Sequence, residues 1–240
     1  MKLKNNAVIG IIGAMKVEVD LFARNMTDVA VETVGMLTFM TGKLDGHPAV
    51  VAVAGIGKVN AAVCTATMIL RYSPEIIINT GVAGALDPVL DVGDTAVADA
   101  AIEHDLNYGA IGDPRGSIFF PDGTSGIVIP TDREIADGLC AAAEAEGLHV
   151  LRGTVASGDV FVSYPEVKAA IRAEFGDDVR VCEMEGAAIV HVCRLFGVRC
   201  GILRSVSDRA DGSAETDYFK FVESSACIAA TVLRRFISSL

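Results

Sequence analysis

One stretch decides the fold: residues 48–86, "PAVVAVAGIGKVNAAVCTATMILRYSPEIIINTGVAGAL". "PAVVAVA" (48–54) is a short, wholly apolar run rich in valine, which predicts a buried strand. "GIGKVNAAVCTATMILR" (55–71) opens on a glycine turn and continues as a helical pattern. "EIIINT" (75–80) is a second buried strand, ending in a second glycine turn, "GVAGAL". Strand, helix and strand in succession, with both strands apolar along their length, describe a sheet covered on both faces.

The alternation continues outward in both directions. "AVIGII" (7–12) predicts a first strand, with a helix from about Lys16. "VGDTAVADA" (92–100), "LHVLRGTVAS" (148–157), "VRVCEM" (179–184) and "RCGILRSVSD" (199–208) predict further strands. Between and after them stand three helical patterns. The first, "TDREIADGLCAAAEAEG" (131–147), offers Thr131 or Asp132 as N-cap. The second, "SYPEVKAAIRAEF" (163–175), has Pro165 in its first turn, where a missing N–H costs nothing. The third is the long C-terminal run "DYFKFVESSACIAATVLRRFISSL" (217–240). At 240 residues, one large domain spanning 1–240 is expected rather than two. The expected fold class is α/β, a three-layer α/β/α domain with a central mixed sheet flanked by helices.

The composition narrows the function classes. Thirty-one acidic residues against 20 basic ones give a net charge of −11, which repels a phosphate backbone, so no nucleic-acid partner is expected. The N-terminal apolar run is too short for a membrane span and lacks the h-region of a signal peptide, so no membrane partner is expected either. The six cysteines show no CxxC and no zinc-site spacing, and most lie in apolar runs. Reduced buried thiols in a cytoplasmic protein are the expectation. His47, His104, His149 and His191 are scattered without metal-like spacing, so no metal and no organic cofactor is expected. "GIGKVN" resembles a dinucleotide turn, but Asn60 stands where the third glycine belongs, and the flanking residues do not make a P-loop. Such turns instead let backbone approach a small ligand at the carboxyl ends of strands. The longest irregular stretch, Glu103 to Pro130, is a candidate for function or for an oligomer interface.

Carboxylates stand where the strands end. Glu18 falls in the first turn of the first helix, where the helix dipole favours its ionised form. There it is either a routine first-turn acid or a water-activating base. Glu183 and Glu185 flank Met184 in "VCEMEGAAIVHVC" (181–193), where a strand becomes a helix. In an extended run both would share a face, though a break at the strand end can undo that parity. Spacing alone favours a structural role for Glu183. Asp208 ends the last strand beside Ser207, a neighbour able to hold its orientation, and after Arg204, expected to influence its charge.

These residues carry a resemblance. "GIIGAMKVEV", "GIGKVNAA", "NTGVAGAL", "ASGDVFV", "CEMEGAAIVHVC" and "RSVSDRAD" occur in that order in the 5'-methylthioadenosine/S-adenosylhomocysteine nucleosidases, which belong to the nucleoside phosphorylase superfamily. The resemblance runs from about residue 8 to the C-terminus. It implies hydrolysis of the N-glycosidic bond between adenine and a 5'-thioribose, with a small nucleoside as partner and a homodimer as the assembly. Position by position, Glu18 resembles the glutamate that helps activate the attacking water. Asp208 resembles the acid that protonates adenine at N7, with Ser207 supporting it and Arg204 nearby in the catalytic group. Glu185 is similar to the ribose-binding glutamate and Met184 to the methionine packed on the sugar. Phe161 matches the aromatic that stacks on adenine, and the Val162 backbone the group that reads the base edge. Met15, Val82, Ala83 and Gly84 match further pocket positions.

The match has departures. Many relatives carry serine where this chain has Val82. The Glu103–Pro130 region is only loosely comparable, and Ile118, Phe119 and Phe120 are candidates there for a 5'-substituent pocket built across a dimer, or for loop anchoring. A phosphorylase is the main rival. Related phosphorylases hold phosphate with arginines after the first strand's glycine turn and before the "TG" turn. "GAMKVEV" and "IINTGVAG" contain none. A futalosine-type nucleoside hydrolase and a purine-nucleoside binder without activity are the remaining alternatives.

Overall fold

A computed structural model describes every residue except 2 and 5. The chain runs β1 (Ile9–Gly13), α1 (Lys16–Asn25), β2 (Met26–Val34), β3 (Leu37–Leu44), β4 (His47–Val53), α2 (Lys58–Tyr72), β5 (Ile76–Ala85) and β6 (Thr95–Glu103). It continues with β7 (Ile118–Phe119), β8 (Ser125–Gly126), β9 (Val128–Pro130), α3 (Arg133–Ala145), β10 (Val150–Ser157), α4 (Pro165–Phe175), β11 (Val179–Glu183), α5 (Gly186–Phe196), β12 (Arg199–Asp208) and α6 (Ala214–Ser238). Among the described residues, no helix is long and apolar enough to cross a membrane.

The sheet is mixed and ten-stranded, in the order β11-β10-β6-β12-β5-β1-β4-β3-β2, with β9 paired to β6. In the central part β4, β1, β5 and β12 run parallel to one another, while β3 and β6 flank them antiparallel. At one side β11 also pairs antiparallel with β5, through Val181–Ala85 and Cys182–Gly84. Strands β5, β12, β6, β10 and β11 thus close into a ring, while β1 to β4 extend from it as an open sheet. The closure explains why β5 is buried at all ten positions. It also corrects one expectation: "GVAGAL" is not a turn but the second half of β5, held extended between β12 and β11.

Two apolar layers sandwich the sheet. Helices α2 and α5 pack with Met68, Ile69, Ile189 and Val190 against Ile12, Val50 and Ile77 on one face. On the other, Phe22, Leu139, Leu233 and Phe236 from α1, α3 and α6 cover Ile9, Ile76, Ile78 and Leu203. The three-layer expectation therefore holds. Helix starts follow the local rules: the Asp132 side chain accepts from the Ile135 N–H at 3.1 Å, and Pro165 opens α4. The β2–β3 hairpin has no clear signature in the sequence, because its residues are largely solvent-facing and give no buried apolar run.

Candidate active site

The carboxyl ends of β1, β5, β11 and β12 converge on one cavity of about 280 Å³. Glu18, Glu185 and Asp208 all line it, as do Met15, Val82, Ala83, Gly84, Phe161, Val162, Met184 and Ser207. The structure therefore brings together every candidate except Arg204 and the three residues Ile118, Phe119 and Phe120. Tyr218 of α6, Ile56, Val160 and Cys182 also line the cavity; the last three lie within the quoted motifs without standing out as site residues, and Tyr218 lies outside every motif.

Glu18 is both a first-turn acid and a site residue. One oxygen accepts from the Met15 N–H at 2.9 Å, closing the start of α1, and the other from the Val82 N–H of β5 at 3.1 Å. Only glycine permits this approach: a Cβ at Gly81 would fall on Glu18 and on Arg204. The Val82 contact is made by backbone, so the hydroxyl that relatives carry there is not needed to hold Glu18. The carboxyl is 3% exposed. Burial raises its pKa above the ordinary value, outweighing the Arg204 charge and the N–H donors. This reverses the expectation that the helix end would favour the ionised form.

Asp208 and Ser207 are sequence neighbours, yet both face the cavity. In a regular strand they would point to opposite sides. The β12–β5 register shifts between Val206 and Asp208, so a bulge at Ser207 re-aims the pair. The Ser207 hydroxyl bonds Asp208 Oδ2 at 2.8 Å, and the Ala210 N–H donates to Oδ1 at 2.9 Å. Burial raises the Asp208 pKa against these two bonds, with Asp217 and Asp211 adding to the rise.

Arg204 does not act on Asp208. It is 1% exposed, lies behind the cavity, and hydrogen-bonds Asn79 and Glu183 through one nitrogen. Its charge is spent on Glu183, Glu18 and Glu185. The expectation that it tunes Asp208 is corrected: its place in the β12 register aims it at the start of α5 and not at the strand end.

Glu183 has the structural role that spacing suggested. It accepts from the Glu185 N–H at 3.1 Å, from the Gly186 N–H at 2.8 Å and from the Ser157 hydroxyl, besides pairing with Arg204. It thereby caps α5 and fixes the turn that carries Met184 and Glu185. Glu185 in turn accepts from the Gly57 N–H at 2.8 Å. Burial and then the neighbouring Glu183 charge push its carboxyl up to about 7, against the opposing pull of Arg204. The glycine turn "GIGK" thus presents its N–H groups to protein carboxylates.

Phe161 is half exposed at the cavity rim, edge-on to Tyr218 with ring centroids 5.6 Å apart. Tyr218 also bonds the Met15 sulfur at 3.1 Å. Ile118 and Phe120 are buried anchors of the Glu103–Pro130 segment, Phe120 lying under the Arg194 guanidinium at 4.0 Å, whereas Phe119 is exposed. None of the three reaches this chain's own cavity. Among the described residues, no group of three or more His, Cys, Asp or Glu side chains is arranged to hold a metal ion.

The fold and the site define a class, and comparison with known proteins agrees with it. A family model described as the phosphorylase superfamily matches residues 8–238. A 5'-methylthioadenosine/S-adenosylhomocysteine nucleosidase of Staphylococcus aureus is 35% identical over 233 residues, 97% of this chain and 100% of the relative. The crystal structure of the nucleosidase of that name from Neisseria meningitidis, in complex with methylthio-immucillin-A, superposes with a TM-score of 0.92 at 35% identity, covering 97% of this chain and 99% of the other. A futalosine hydrolase of Helicobacter pylori superposes with a TM-score of 0.90 at 34% identity, covering 98% and 99%. The chain belongs to the 5'-methylthioadenosine/S-adenosylhomocysteine nucleosidase family, within the phosphorylase superfamily.

Proposed function

We propose that this protein hydrolyses the N-glycosidic bond of 5'-methylthioadenosine and S-adenosylhomocysteine, releasing adenine and the 5'-thioribose. The observation that carries the reading is the set of carboxyl groups on one mostly apolar cavity, with no arginine, lysine or histidine among its described lining residues. Cleavage builds positive charge on the ribose and electron density on the base. Carboxylates suit the first, and a proton donor relieves the second. A phosphorolytic site would need cations on the cavity to hold the anion.

In this reading Asp208, whose pKa burial raises and which Ser207 orients, gives its proton to adenine N7. Glu18 takes a proton from the attacking water at the sugar's anomeric carbon. Glu185 holds the ribose hydroxyls, Met184 packs on the sugar, and Phe161 stacks on the base while the Val162 backbone reads its edge. Met15, Val82, Ala83 and Gly84 complete the surface around the nucleoside. Arg204 acts from behind, by holding Glu183 and stabilising the charge of Glu18. The step balances without a further reactant: water adds across the bond, its hydroxyl to the sugar and its proton, through the two acids, to the base.

A homodimer fits the exposed apolar residues Val59, Val63 and Leu70, which recur at helical spacing along α2. A reducing, cytoplasmic setting fits the five buried, unpaired cysteines. Aminofutalosine-type nucleosides are the second reading, favoured by the likeness to the futalosine hydrolase. Adenine release by the purified protein from methylthioadenosine, adenosylhomocysteine and aminofutalosine, followed in parallel, tests both. Turnover of the two thionucleosides supports the first reading, and turnover of aminofutalosine alone the second. Binding without release would leave a nucleoside-binding protein and overturn both.

A further inference from the structure

Residues 158–164, which bring Val160, Phe161 and Val162 to the cavity, have no regular secondary structure. Something outside the segment must hold it. A closed ring of three hydrogen bonds does so. The Lys58 N–H donates to Asp159 Oδ1 at 2.8 Å, the Asp159 N–H donates to Asp105 Oδ2 at 2.8 Å, and Lys58 Nζ donates to Asp105 Oδ1 at 2.6 Å. Lys58 Nζ also reaches Glu103 at 3.1 Å, which His191 of α5 meets through Nδ1 at 2.9 Å. Burial opposes the Lys58 charge, yet Asp105 and Glu103 outweigh it and hold the ammonium ionised.

The ring closes on the helix end that also holds the sugar side of the site. Gly57 and Lys58 are consecutive at the start of α2. The Gly57 N–H goes to Glu185 and the Lys58 N–H to Asp159. The backbone at Gly57 has φ +96°, and a Cβ there would stand 3.0 Å from Asp159 Oδ1, so only glycine lets the two carboxylates share this turn.

We propose that Asp159 is a positioning residue for the reaction: it pins the base-side segment to the same helix end that orients Glu185, so that base and sugar recognition are mechanically joined. Asp159 touches neither the cavity nor the reacting atoms; it acts through Phe161 and Val162 on one side and through the α2 start on the other. The inference rests on the nucleosidase reading for the identity of the two half-sites.

The experiment compares Asp159→Ala with Asp159→Asn. Asp159 is exposed, so neither substitution opens a cavity. Adenine affinity is measured by calorimetry, which needs no turnover, alongside kcat and KM for methylthioadenosine and the thermal midpoint. Asp159→Ala should weaken adenine binding and raise KM by about tenfold each, the scale of one lost charge-assisted hydrogen bond. Its kcat and thermal midpoint should stay near those of the wild type. Asp159→Asn keeps an oxygen acceptor for the Lys58 N–H and should restore both constants. Unchanged adenine affinity and KM in Asp159→Ala would overturn the proposal, and so would an Asn variant as impaired as the Ala variant. A wild type that binds adenine but releases none from methylthioadenosine would instead count against the nucleosidase reading, while the calorimetric comparison would still decide the role of Asp159.

Discussion

Asp208 and Glu185 are both buried acids on one cavity, and burial works on them in the same direction with different consequences. For Asp208 a raised pKa supplies the proton that the leaving base needs. Asp208→Asn should therefore lower turnover by about 10²–10⁴-fold while adenine still binds, since an amide cannot deliver the proton; near-normal adenine release would remove the general-acid role. Glu18→Gln should slow adenine release without lowering the thermal midpoint, and unchanged kinetics would leave Glu18 a first-turn acid only. For Glu185, folding holds a proton that the unfolded chain has lost between its ordinary value of 4.5 and about 7. Stability from this group is therefore intact below pH 4.5, falls as pH rises through that window, and stays reduced above about 7. Glu185→Gln should raise the thermal midpoint relative to wild type at pH 8 but not at pH 4, while raising KM; an equal effect at both pH values would contradict the account. The three acids were legible in the sequence because each stands at the end of a strand or at the start of the helix that follows one. The reach of Arg204 was not, since only the packed β12–β5–β11 arrangement shows that Glu183 takes its charge.

At the scale of elements, a few junctions carry the site: the β12 bulge, the α1 start on β5, and the α5 start capped by Glu183. Removing Glu183 would leave Arg204 buried without its nearest counter-charge and α5 without its cap. Glu183→Ala should cost about 3–5 kcal/mol in urea unfolding, the range found when one partner of a buried pair is deleted. A loss below about 1 kcal/mol, as for exposed pairs, would mean that Glu18 alone satisfies the arginine. The apolar strands and capped helices declared themselves through composition and spacing. The β2–β3 hairpin did not, because its half-exposed strands lack an apolar run. The extended conformation of "GVAGAL" was equally hidden: glycines read as a turn until the closure of β11 onto β5 supplies partners on both sides.

The whole molecule joins an open sheet to a closed ring of strands, and the cavity sits where the two meet. Its exposed α2 stripe should bury itself in a second copy. Val59, 74% exposed, offers a direct test: Val59→Glu should shift the protein from dimer to monomer in sedimentation equilibrium, whereas a wild type that already sediments as a monomer would contradict the dimer. Water, and not phosphate, attacks the sugar in this account, because the cavity presents acids and, among its described lining residues, no cation. The most direct test is to incubate the protein with methylthioadenosine, with and without phosphate, and identify the sugar product. The account predicts free methylthioribose at the same rate in both. Methylthioribose-1-phosphate, formed only when phosphate is present, would contradict it.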